Sequence, residues 1–126
     1  MTTPTILVVE DEPDVRNLVV MTLQQTSYNI ITATNGVEAL KRCEEKAPNL
    51  ILLDISMPRV NGLDFLHLLK DMDLLPRTKV VMVSALGYRE VVEKAMAFGV
   101  KDFIVKPFDL HDLLERVQRL IEPGPA

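Results

Sequence analysis

The sequence predicts an α/β domain whose parallel sheet is covered by helices on both faces, and three observations support this. Five short apolar runs recur along the 126 residues: ILVV (6–9), IITA (30–33), LILL (50–53), VVMV (80–83) and FIV (103–105). None alternates polar with apolar residues, so each reads as a strand covered on both sides, the habit of parallel sheets. Helical segments lie between and after the runs, and that alternation implies right-handed crossovers with helices on both faces.

Each helical segment carries its own signals. PDVRNLVVMTLQQ opens on Pro13, tolerated in a first turn because the missing N–H has no helical partner there. NGVEALKRCEEKA opens on Asn35 with Glu38 three residues on, the spacing of a capping box. NGLDFLHLLKDM sets Leu63, Leu66 and Leu69 along one side, and YREVVEKAMAFG ends on Gly99, a predicted C-terminal cap. DLHDLLERVQRLI places Asp109 and Asp112 at its start, where the helix dipole favours negative charge.

Composition bounds the class. Hydrophobic residues make up 48% and charged residues 25%, an ordinary globular balance. A chain of this size buries roughly two thirds of its unfolded surface, which predicts one core and one domain over residues 1–122. The final EPGPA cannot continue a helix, so residues 123–126 are expected to be a flexible tail or the start of a severed linker. A net charge of −4, a pI near 5.1 and the lack of any basic run argue against nucleic-acid binding. No stretch approaches the roughly twenty apolar residues that cross a bilayer. The opening MTTPTILVVEDE has no basic residue before its short apolar run, unlike a secretory signal, so a cytoplasmic location is expected. Cys43 falls at helical spacing with Leu40 and Ala47 and is read as a packed side chain.

The polar residues at the carboxyl ends of the runs carry the functional argument. Glu10 and Asp11 follow the first run, Asp54 the third, Ser84 the fourth, and Lys106 with Pro107 the fifth. The second run ends in Ala33 and Thr34, which suits an edge strand. Taken singly, these are turn, helix-start or surface residues. Together they occupy the strand ends where open α/β sheets bind ligands. Three nearby carboxylates repel by several kcal/mol per pair at an effective dielectric near 20, and are tolerable with a cation between them. Short oxygen-bearing side chains suit Mg²⁺, which keeps waters and leaves positions for phosphate oxygens. A hydroxyl and a Lys charge can then hold a phosphoryl group, and a carboxylate beside the metal can be its nucleophile. Asp54 is the residue so placed.

These fragments, ILVVEDEP, LILLDISMPRVNG, VVMVSA and DFIVKPF, in this order, resemble the receiver domain of bacterial two-component response regulators, over about residues 6–121. The resemblance implies a flavodoxin-like (βα)5 three-layer sandwich with strand order 2-1-3-4-5. By position it implies that Asp54 accepts a phosphoryl group from a phosphohistidine of a sensor histidine kinase or phosphotransfer protein. It likewise implies that Glu10, Asp11 and Asp54, with the main-chain carbonyl of Ser56, hold Mg²⁺. Ser84 matches the hydroxyl that bonds the phosphoryl group, Lys106 the Lys that pairs with it, and Phe103 the aromatic switch. Pro107 suggests a cis Lys106–Pro107 bond. The first acid is Glu where many members have Asp. The implied role is signalling rather than enzymatic turnover, acting on a downstream partner or on an output domain that this sequence does not contain.

Three other readings compete. A haloacid-dehalogenase-type phosphatase also places an Asp nucleophile after an apolar strand, but it wants a second Asp two residues on, where this chain has Ser56. A pseudo-receiver scaffold that is never phosphorylated would normally lack one of the acids or the Lys, and all are present. A flavodoxin would place a phosphate loop after its first strand, where this chain has the repelling EDE. His67 and His111 have no metal-ligand partners in sequence and are read as surface residues.

Overall fold

Parallel pairing throughout the sheet follows from chain order. In the computed structural model, which describes residues 3–55, 62–75, 77–84 and 89–122, strand and helix alternate without interruption. The elements are β1 (Thr5–Val9), α1 (Pro13–Leu23), β2 (Asn29–Ala33), α2 (Gly36–Glu45), β3 (Leu50–Asp54), α3 (Gly62–Asp71), β4 (Lys79–Ser84), α4 (Arg89–Ala97), β5 (Asp102–Val105) and α5 (Leu110–Ile121). The strands form one sheet in the order β2-β1-β3-β4-β5. This is the flavodoxin-like order expected from the resemblance.

The period of a strand divides each apolar run between two cores. Leu7, Val9, Ile51, Leu53, Val80 and Met82 face one side, where they meet Phe65, Leu66 and Leu69 of α3 and Ala95 of α4. Ile6, Val8, Leu50, Leu52, Val81 and Val83 face the other, against Val19 and Leu23 of α1 and Leu113 and Val117 of α5. Cys43 is buried in the first core, as its spacing predicted. Strand β2, at the sheet's edge, is only partly buried.

The caps follow the sequence signals closely. Asn35 Oδ1 accepts the Glu38 N–H at 2.9 Å, and the Glu38 carboxylate accepts the Thr34 hydroxyl at 3.1 Å. The box predicted from the spacing is thus closed by the residue before the cap. Gly99 has φ +89°, with its N–H on the Met96 carbonyl and the Val100 N–H on that of Ala95, a Schellman closure. Asp109 Oδ1 accepts the Asp112 N–H at 3.0 Å.

Register then aligns the carboxyl ends. Val9 pairs with Ala33 and with Leu53, Asp54 with Val83, and Ser84 with Val105. The residues that follow β1, close β3 and β4, and follow β5 therefore come to one edge.

Candidate functional site

Strand periodicity sends Glu10 and Asp54 to the same face of the sheet, in line with Val8 and Leu52. Glu10 is 4% exposed and Asp54 3% exposed, whereas Asp11, one residue further along the loop, is exposed. A carboxylate oxygen from each of the three lies within 4.8 Å of the others. At that separation two full charges repel by about 3 kcal/mol at an effective dielectric near 20.

Lys106 relieves part of this repulsion. Its Nζ lies 2.9 Å from Glu10 Oε1 and 3.1 Å from Asp54 Oδ2, so one ammonium bridges two buried carboxylates. The Lys106–Pro107 bond is cis. Burial alone would lower the Lys106 pKa, but hydrogen bonds to Glu10 and Asp54 and the charges of both outweigh it, and the pKa is raised. Glu10 moves the opposite way from an ordinary ion-paired acid. Burial, reinforced by the neighbouring Asp54, pushes its carboxyl up to about 7 against the help of Lys106 and the Glu12 N–H.

The loop after β1 is tied by its own backbone. The Glu10 N–H donates to the Ala33 carbonyl at 3.1 Å, and the Glu12 N–H donates to Glu10 Oε2 at 3.3 Å. From α1, Arg16 Nη1 donates to the Glu10 carbonyl at 2.9 Å. Nothing in the pattern of charges along the sequence points to Arg16, since a side chain that meets a main-chain oxygen needs no complementary charge. The available signal was its place one turn into a helix that begins beside the acids, because helical side chains lean toward the N-terminus.

The structure brings together Glu10, Asp11, Asp54 and Lys106. Ser84 closes β4, but its side chain and all of Ser56 lie outside the described residues. Phe103 is half-buried against the first core, with its N–H bonded to Asp102 Oδ1 at 2.8 Å. His67 stays on the outer surface of α3 with its ring edge-on to Phe98, centroids 4.5 Å apart. His111 is exposed and lies 3.3 Å from Glu115. No helix among the described residues is long and apolar enough to cross a membrane.

A parallel five-stranded sheet with an acidic cluster and one Lys at its carboxyl edge defines a receiver-type signalling domain. Comparison agrees: the sequence profile of the response regulator receiver domain matches residues 6–118, and the chain belongs to that family, whose members serve two-component systems. The chemotaxis protein CheY of Listeria monocytogenes is 36% identical over 115 residues, covering 90% of this chain and 95% of the relative. Among solved structures, the Vibrio cholerae chemotaxis protein CheY4 has a TM-score of 0.87 at 28% identity, covering 94% of this chain and 99% of that one. The receiver domain of NtrX from Brucella abortus has a TM-score of 0.83 at 36% identity, covering 94% and 99%. Receiver domains bind Mg²⁺ at an acidic site, and the three convergent carboxylates here are the hard oxygen donors such an ion takes.

Proposed function

We propose that this domain is a phosphoacceptor of a two-component relay, with Asp54 as the residue modified. The observation that carries the reading is the placement of Asp54. It is a buried carboxylate at the end of β3, clustered with Glu10 and Asp11 and held 3.1 Å from the Lys106 ammonium.

Glu10, Asp11 and Asp54, with the Ser56 carbonyl, would hold Mg²⁺, which supplies charge neutralisation for the phosphoryl oxygens. An Asp54 carboxylate oxygen attacks phosphorus while the bond to a donor histidine nitrogen of a sensor kinase or phosphotransfer protein breaks. The leaving ring nitrogen takes up a proton, and an acyl phosphate remains on Asp54. Lys106, already within reach of Asp54, pairs with a phosphoryl oxygen, and Ser84, the last residue of β4, donates its hydroxyl to another. Drawing Ser84 inward makes room for Phe103 to bury further. That couples the site to the surface of α4, β5 and α5, through which a downstream partner or an output domain would be controlled.

Incubation with acetyl phosphate and Mg²⁺ tests the assignment by intact mass. One phosphoryl group is expected on the parent and none on Asp54→Asn, and equal labelling of the two proteins would refute it.

A further inference from the structure

Arg16 lies outside the carboxylate cluster yet acts on it through the main chain. The carbonyl that it holds at 2.9 Å belongs to the peptide joining Glu10 to Asp11. That peptide is planar, so holding its oxygen orients the whole unit and with it the Asp11 N–Cα bond, leaving rotation about that bond and within the short side chain to aim the Asp11 carboxylate. Glu10 is anchored independently, by its N–H on the sheet and by its carboxylate on Glu12 N–H and Lys106. Asp11 is exposed and one residue further from the sheet. Its place in the cluster therefore depends most on that peptide.

Arg16 suits this task by position and chemistry. Its own N–H closes the first turn of α1 on the Glu12 carbonyl at 2.9 Å, which sets the helix start rigidly beside the loop. Its side chain reaches back along the helix, and a guanidinium is always charged and always a donor.

We infer that Arg16 is a positioning residue for divalent-cation binding, holding the Glu10–Asp11 peptide so that the Asp11 carboxylate faces Glu10 and Asp54. The inference rests on the reading of that cluster as a cation site. It makes a prediction of sign. A fixed positive charge beside a cation site repels the ion, so removing Arg16 would tighten binding if charge alone mattered. Removal loosens binding if positioning matters more.

The test is titration of the full chain with MgCl₂ in the absence of any phosphodonor, followed by calorimetry and by amide NMR. The variants are Arg16→Ala, Arg16→Met, Arg16→Lys and, as a control, Asp11→Ala. Arg16→Ala and Arg16→Met are expected to weaken Mg²⁺ affinity about tenfold, the lower end of what loss of an outer-shell contact costs a metal site. Both should also shift the Asp11 and Glu12 amides before metal is added, while metal-free thermal stability stays near the parent's. Arg16→Lys should recover part of the affinity. Arg16→Met keeps the apolar stem and carries the test if the Ala variant does not fold. Affinity equal to or tighter than the parent's in the Met variant overturns the inference. A parent that binds no more Mg²⁺ than Asp11→Ala overturns the cation reading itself, and the role of Arg16 with it.

Discussion

Replacing Glu10 by Gln should change the pH dependence of stability more than stability itself. A carboxyl whose folded pKa is raised from 4.5 to about 7 binds its proton more tightly in the folded chain. Its contribution is therefore fully present below about pH 4.5 and is lost as pH rises through about 7. A rise of that size corresponds to about 3 kcal/mol in the limit, most of it falling between about pH 5 and about pH 8. Because Glu10 shares Lys106 with a second buried carboxylate, the working expectation is about 2 kcal/mol, or several degrees of melting temperature in a domain of this size. The assay is urea denaturation of the parent and Glu10→Gln in EDTA at several pH values. The parent should lose stability relative to the variant as pH rises, since Gln has no proton to lose. A difference between the two that is flat in pH, or that grows in the parent's favour, would refute the argument.

Three further outcomes are expected. Lys106→Ala leaves two buried carboxylates without their shared cation, so the metal-free protein should lose about 1–3 kcal/mol at neutral pH and regain much of it with Mg²⁺, as read by thermal melts. Equal melting temperatures for parent and variant without metal would show that the bridge contributes little. Gly99→Ala meets no atom within 4 Å but must hold φ near +89°, so chemical denaturation should show a loss of about 1 kcal/mol from backbone strain alone. Ser84→Ala should still take some phosphoryl group on Asp54 yet lose most of the amide shifts that beryllofluoride induces across residues 89–106; undiminished shifts would detach Ser84 from the switch.

Most of the fold could be read in advance because β1 and β3 lie inside the sheet, where both faces demand apolar residues and leave unbroken runs. The apolar runs begin one residue inside the strands that start at Thr5, Asn29, Lys79 and Asp102, since a polar residue can pair at the rim of a sheet. Thr5, for instance, is buried with its N–H on Asn49 Oδ1 at 2.8 Å. The apolar run stops at Leu53 and so predicts Asp54 just beyond the strand, whereas Asp54 is the strand's last residue, paired with Val83. That pairing explains how a carboxylate can be buried and fixed in direction. The convergence of the acids could be inferred from topology alone, because parallel strands bring their ends together. The contact of Lys106 with Glu10 as well as Asp54 could not, for it depends on how one long side chain settles between two acids. The same holds for Arg116 on β5's Asp102 at 3.0 Å, which no spacing rule links.

The charges at the sheet edge explain why proton, Lys and metal should act as alternatives. With all groups ionised, three carboxylates and one ammonium leave the cluster with an excess of two negative charges, which a divalent cation cancels. Without that cation, Glu10 can lower the excess by keeping a proton, and burial makes this the cheaper course near neutrality. A metal that takes Glu10 as a ligand must first displace that proton and share the carboxylate with Lys106. Mg²⁺ affinity should therefore rise with pH over the same interval in which metal-free stability falls. The two trends have one origin, so Glu10→Gln should weaken both, and a variant that flattened one while leaving the other intact would show that the proton and the metal do not meet at Glu10.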